Sequence, residues 1–352
     1  MRAFVLSGAL FSLCCLASAA EPEPLVKVDE FHLKTERYGA AVVADGDYVY
    51  VIAGANRSGL LNDIERFDTR THQVEVITNK LKPRRYHGAV FLDGKIFIVG
   101  GQAADVFESN VTDVESSAHA GSSMRSPATS RSREASEDLL SASLAQTSFE
   151  ERVEIYDIAT NQISYGAPQP TPRISAAVAG AGGKIFLMGG VRLVGRAAAQ
   201  TNLTDVYDPA SDRWSPGALM PTPREGNAVV VGDFIMIPGG FVHGSTVAKV
   251  EFYIPAQNSW LTLPDLTKPM GAGSVTFLGN YLFLFGSLGA DSRVVAYDLR
   301  NRTSRVIKPG FKPSRHGAAI AHNGRIYVVG GSVNPEGDAY NDIQVFALAE
   351  AK

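Results

Sequence analysis

The chain has 352 residues, 45% hydrophobic and 20% charged, which is enough apolar material for a core and excludes a disordered or collagen-like chain. Lys and Arg number 33 against 36 Asp and Glu. A net charge of −3 gives no general attraction for nucleic acid or an anionic membrane, so any anion site has to be local.

Arg2, the apolar run from Phe4 to Leu16 and the small residues Ala17-Ser18-Ala19-Ala20 read as a secretory signal spanning 1–20. Cleavage after Ala19 or Ala20 gives a mature chain from about Glu21, secreted or periplasmic. The run is short for a bilayer span, and no other stretch is apolar enough to make one. Cys14 and Cys15 leave with the signal. The mature chain then has no disulfide, no thiolate nucleophile and no sulfur ligand for a metal.

From Arg37 onward one phrase recurs six times: a small-residue apolar strand, a two-residue Gly turn, a second apolar strand and a Gly pair. It opens at Arg37, Arg85, Arg173, Arg224, Gly271 and Arg315. It closes at Gly54, Gly101, Gly190, Gly240, Ser287 and Gly331, at intervals of 47, 89, 50, 47 and 44 residues. The turn chemistry sits at Asp45-Gly46, Asp93-Gly94, Gly182-Gly183, Gly232-Asp233, Gly279-Asn280 and Asn323-Gly324, all suited to tight hairpins that need positive φ. A third strand ends at Asp68, Asp157, Asp208, Ile254, Asp298 and Ala347, and a fourth follows around Val74, Ile163, Trp214 and Trp260. A period near 47 residues with four short strands per unit and no helical pattern predicts an all-β, six-bladed β-propeller of four antiparallel strands per blade.

The Gly pair, the Tyr-Asp ending the third strand and the Trp six residues later resemble Kelch repeats, over about Leu25 to Leu348. The repeats depart from that pattern mildly: Ala53-Gly54 and Gly286-Ser287 replace the Gly pair in blades one and five, and four blades lack the Trp. The sixth unit stops at its third strand, while Val26-Lys27-Val28 precedes Arg37 as Arg305-Val306-Ile307 precedes Arg315. The N-terminal strand is therefore expected to complete the last blade and close the ring. One propeller is expected over 21–352, interrupted at about 103–149 by a Ser-, Ala- and charge-rich insertion. That insertion reads as a flexible surface loop or as a flap over the ring face. Asn56, Asn110, Asn202 and Asn301 head glycosylation sequons.

The start of the first strand and the end of the second share one ring face near the axis, which makes that face the candidate site. It carries Arg37, Tyr38, Arg85, Tyr86, His87, Arg173, Arg224, Asn227, Arg315 and His316 as candidate ligand-binding residues. Past the Gly pairs come Asn56, Gln102, Phe241, His243 and Ser332. Two explanations of the repeated arginines stay open. Each guanidinium satisfies carbonyls or an acid at a blade junction, or together they form forked donors for a carboxylate. Glu225, His316 and His87 are the candidate catalytic groups, although Glu225 also reads as the partner of a neighbouring Arg. The histidines show no metal-ligand spacing, and no sequence signature calls for a metal or cofactor.

The first functional expectation is an exported, monomeric binding or scaffold propeller that recognises a protein segment or an acidic glycan on the Arg-bearing face. The second is a cofactor-free sugar mutarotase. The chain is similar to the exported six-bladed Kelch proteins that are sialic acid mutarotases, and that resemblance implies proton transfer by an acid such as Glu225 or His316 while arginines hold the sugar carboxylate. A copper radical oxidase of the galactose oxidase kind is excluded, because the mature chain lacks the required cysteine.

Overall fold

The computed structural model describes residues 24–103, 148–195, 197–286, 293–334 and 338–349. The expected signal, Asn110, His119, Ser287 and most of the insertion lie outside them. Among the described residues six four-stranded antiparallel sheets succeed one another. Sheet one joins Ala41–Asp45, Tyr48–Asn56, Gly59–Asp68 and Val74–Thr78. Sheet two joins Gly88–Leu92, Lys95–Val99, Arg152–Asp157 and Gln162–Pro168. Sheet three joins Ala177–Ala181, Lys184–Met188, Thr204–Asp208 and Arg213–Pro216. Sheet four joins Val229–Val231, Phe234–Pro238, Val250–Ile254 and Ser259–Leu263. Sheet five joins Ser274–Leu278, Tyr281–Phe285, Val294–Asp298 and Thr303–Ile307. Sheet six joins Ala318–His322, Arg325–Val329 and Asp342–Leu348, and its fourth strand is the N-terminal Leu25–His32, antiparallel to Asp342–Leu348. Among the described residues no helix is long and apolar enough to cross a membrane.

Each second strand is a continuous apolar run buried along its length, such as Ile96–Val99 and Ile326–Val329, because it is covered on both faces by neighbouring sheets. The core is accordingly divided into clusters that each span two successive sheets. One joins Ile52 and Tyr50 to Ile96 and Ile98, another joins Met236 and Val250 to Leu282 and Leu284. A further cluster joins Val49, Val51 and Phe67 of sheet one to Tyr327, Val329 and Ile343 of sheet six.

The double glycine has a steric cause that is visible at Gly330-Gly331. A Cβ on Gly330 would lie 2.3 Å from the carbonyl oxygen of Arg37, and the amide of Gly331 donates to that same oxygen at 2.9 Å. The first glycine makes room for the neighbouring sheet's backbone and the second bonds to it. The hairpin tips fall where the sequence places them except in sheet one. There Asp45 pairs with Tyr48, so the turn is Gly46-Asp47 with the positive φ at Gly46. Ala103, Ser148 and Phe149 correct the insertion's bounds: they are strand residues in a small sheet with Arg84–Arg85.

The Tyr and Trp of the repeat couple sheets. Tyr253 and Trp260 pack at 5.2 Å between centroids, Tyr253 Oη donates to Asn258 Oδ1 at 2.6 Å, and Trp260 Nε1 donates to the Ala218 carbonyl of the preceding segment at 2.8 Å. Trp260→Phe removes that bond together with the pyrrole half of the indole and its packing. It is expected to lower stability by about 1 kcal/mol in urea denaturation, and an unchanged midpoint would show the bond idle.

Candidate functional site

The arginines divide into two sets. Arg37, Arg173 and Arg224 are at most 1% exposed, and each is used up inside the protein. Arg37 holds Asp63 in a two-bond fork at 3.0 and 2.9 Å, reaches Glu65 and donates to the Ala53 carbonyl at 2.9 Å. Arg173 pairs with Asp205 and bonds the carbonyls of Leu203 and Leu187 at 2.9 and 3.2 Å. Arg224 pairs with Glu251 and bonds the Ile237 carbonyl at 2.8 Å. Their expected place among ligand contacts does not fit this burial: a guanidinium with no exposed edge does not face a ligand, even though Nε of Arg173 and of Arg224 has no hydrogen-bond partner among the described residues. In sheet two the equivalent is Arg84, fully buried against Glu154, which the sequence reading passed over in favour of Arg85.

Arg85 and Arg315 belong one position later. Cross-strand bridges align Arg85 with Gln102 and Arg315 with Ser332, in register with Tyr38 on Ala55, Ile174 on Val191 and Glu225 on Phe241. At this register the side chain rises from the buried layer to the ring face. Arg85 donates to Gln102 Oε1 at 2.9 Å and to Tyr38 Oη, and lies 5.0 Å above the Tyr86 ring. Arg315 donates to Ser332 Oγ at 3.4 Å. Neither has a carboxylate partner among the described residues. Tyr38 is buried beneath Arg85 and supports it rather than facing a ligand.

The next position forms a belt of backbone hydrogen bonds around the axis. Gly39 N donates to His316 O at 2.8 Å, Tyr86 N to Gly39 O at 2.8 Å, Ser175 N to Tyr86 O at 3.0 Å, Gly226 N to Ser175 O at 3.2 Å and His316 N to Ala272 O at 2.7 Å. Between sheets four and five the tie is a side chain, Asn227 Nδ2 donating to Gly273 O at 2.6 Å. Tyr86, Ser175, Ala272 and His316 all sit in the left-handed region, with φ between 52° and 56°, which aims their side chains at the axis.

Inside the belt is a cavity of about 240 Å³, somewhat smaller than the about 300–1,000 Å³ common for ligand pockets. It extends from the axis into the crevice between sheets four and five. The space arises because sheet five opens on Met270-Gly271-Ala272-Gly273-Ser274, without the bulky residues other repeats place there. Tyr86, His87, Glu225, Asn227 and His316 line it, so the structure brings together these sequence candidates from sheets two, four and six. Tyr86 meets His316 edge-on at 5.1 Å.

Burial governs the electrostatics. It lowers His316 to about 4, helped by Arg315 and Arg85, so the imidazole is neutral near pH 7. His87 is lowered to about 3, chiefly by burial and then by Arg84, and neither ring nitrogen has a hydrogen-bond partner. Burial raises Glu225, offset in part by hydrogen bonds from Gln200 and Ser175. Its neighbour is the Gln200 amide at 3.2 Å, so the expectation that it pairs with a ring-face Arg is corrected. Ser274 Oγ, also buried and facing the cavity, is unpartnered too. Far from this site, Glu30, His32 and Asp342 cluster on sheet six, but the Lys312 ammonium already holds Asp342.

Successive four-stranded sheets joined by a backbone belt around an axial cavity define a β-propeller. Comparison with known proteins shows what it is similar to. The family model described as Kelch motif matches residues 36–81 and 83–116. Kelch-like protein terF of Aspergillus terreus is 32% identical over 218 residues, covering 56% of this chain and 46% of that protein. Kelch-like protein 25 of Xenopus tropicalis is 27% identical over 274 residues, covering 77% of this chain and 40% of that protein. The solved structure of YjhT superposes with a TM-score of 0.68 at 14% identity, covering 91% of this chain and 97% of that one. The chain thus carries Kelch motifs and is similar to Kelch-repeat proteins, and it spans less than half the length of these curated relatives.

Proposed function

We propose that the protein is a six-bladed Kelch propeller, closed by its N-terminal strand, that binds a carboxylate-bearing ligand at the mouth of its axial cavity. The apolar leader at 1–20 supports export as part of this reading. The observation that carries it is the contrast between the two sets of arginines. Those one layer down are each paired with an acid, while Arg85 and Arg315, which bond only neutral side chains, have no acid partner among the described residues. An acidic side chain of a protein segment or the carboxylate of an acidic glycan supplies the complementary group. The Kelch-like relatives favour the protein segment, since Kelch repeats serve widely as binding scaffolds.

A mutarotase is the second reading, favoured by the raised Glu225 carboxyl and the neutral His316 lining one cavity. Thermal-shift titration with an acidic peptide and with acidic and neutral sugars tests the binding reading. A saturable shift is expected for an acidic ligand, weakened about tenfold or more in Arg315→Ala, whose own melting temperature stays near wild type. If no acidic ligand shifts the wild type and both Arg85→Ala and Arg315→Ala simply melt earlier, the rim arginines are structural. Accelerated equilibration of a freshly dissolved acidic sugar anomer, lost in Glu225→Gln, would move the conclusion to the enzyme.

A further inference from the structure

A carboxylate receptor does not account for Glu225. Its carboxylate faces the same cavity as Tyr86 and His316, accepts an amide hydrogen from Gln200 at 3.2 Å and has no cation partner among the described residues. Arg85 and Arg315 have no anion partner there either, yet both stand close enough to influence His316, and all three charged groups influence the Tyr86 hydroxyl. Glu225 thus lines the cavity, and the two guanidiniums stand behind its Tyr86 and His316 walls, so charges of opposite sign surround Tyr86 without an ion pair between them among the described residues. A purely anionic ligand would satisfy the arginines and bring a second negative charge toward Glu225, whereas a ligand carrying both charges satisfies the whole set.

The crevice side of the cavity is largely apolar. Pro238, Met270, Val275, Leu284 and Phe285 line the crevice between sheets four and five, and a cavity of about 240 Å³ suits one small molecule rather than a length of chain. The buried His87, with both ring nitrogens unpartnered, and the unpartnered Ser274 Oγ leave hydrogen-bonding capacity within reach of such a guest.

We propose that the cavity binds a free α-amino acid as its zwitterion, with the carboxylate on Arg85 and Arg315, the ammonium on Glu225 and an aliphatic side chain in the crevice between sheets four and five. This rests on the mouth being a carboxylate receptor and narrows the ligand to a small molecule that also carries an ammonium. Acidification adds a signature. Glu225 has to be ionised to hold an ammonium, and burial raises its titration, so zwitterion binding weakens as pH falls toward that range. A carboxylate without an ammonium would bind more tightly over the same change, because Glu225 becomes neutral. Beside the guanidiniums of Arg85 and Arg315, the other titratable groups here are Tyr86, raised by burial and neutral, and His316 and His87, which are lowered to about 4 and about 3 and charge only at lower pH.

Titration calorimetry of the protein with leucine, 4-methylpentanoate and leucinamide at pH 7.5 and fixed salt tests this. Leucine is expected to bind saturably, with 4-methylpentanoate and leucinamide each at least about tenfold weaker. Glu225→Gln should abolish the preference for leucine over 4-methylpentanoate, and Arg315→Ala the preference for leucine over leucinamide. Equal binding of leucine and 4-methylpentanoate by the wild type overturns the zwitterion and leaves the carboxylate receptor standing, with no variant needed. Failure of leucine to bind while an acidic peptide binds does the same. Leucinamide binding as well as leucine, with Arg315→Ala indifferent, overturns both readings.

Discussion

Arg173→Ala is expected to destabilise the fold by about 3–5 kcal/mol, the cost of leaving one member of a buried ion pair uncompensated. Arg173 is fully buried; its pKa is lowered to about 10 by burial, and burial raises its partner Asp205. Truncation leaves that carboxylate and the Leu203 and Leu187 carbonyls without their donor. The repeats themselves indicate what would repair the loss. The buried Arg with an acid on the third strand recurs as Arg37 with Glu65, Arg84 with Glu154 and Arg224 with Glu251. At the matching positions sheet five carries Met270 and Val295, both buried and apolar, and sheet six carries Ser314 and Gln344, both buried and uncharged. Charge is present on both partners or on neither. Arg173→Met with Asp205→Val should therefore recover most of the stability that Arg173→Ala loses, since an apolar pair of similar volume often equals a buried ion pair. Urea denaturation of the single and double variants decides it. A double variant as unstable as the single one would show that the pair does more than satisfy itself.

This pairing explains how far the sequence could be read. The strands, turns and Gly pairs were legible because each repeats a local chemical demand: positive φ at Gly232 or Asn323, and no room for a Cβ at Gly330. The site was only half legible. Arg84-Arg85 offers two arginines to one register, and the spacing from the Gly pair points to the half-buried Arg85 while the buried layer needs Arg84. The signal that separates them was present in the third strands, where Glu65, Glu154, Asp205 and Glu251 accompany an Arg and Val295 and Gln344 do not. The cavity left no positive mark. It is made by what sheet five omits, a bulky opening segment, and an omission becomes a cavity only when Pro238 and Leu284 are known to flank it. The convergence of Glu225 with Tyr86 and His316 joins residues more than 90 positions apart, which no local motif encodes.

Below neutral pH the protein should lose stability through His87, by about 3 kcal/mol at pH 4.5. The sign follows from its burial. Unfolded, the imidazole titrates near its ordinary 6.5; folded, it is lowered to about 3, chiefly because ionising there would bury a charge and then by Arg84, against a smaller opposing contribution from the Ile52 backbone. Above 6.5 both states are neutral and the stability is fully present. Between 6.5 and about 3 only the unfolded chain takes up the proton, so acid favours unfolding throughout that window. Other groups act in the opposite direction. Glu225, Glu154 and Asp205 have carboxyls raised by burial, so the folded state takes up their protons first and acid stabilises it through them. Comparison with His87→Leu separates the two effects, since leucine at this position cannot ionise and leaves every carboxyl in place. The difference in unfolding free energy between wild type and His87→Leu should shift by about 3 kcal/mol in favour of the variant between pH 7.5 and pH 4.5. A difference that stays constant over that range would mean that His87 is protonated as easily in the fold as outside it, and that the cavity floor is open to water.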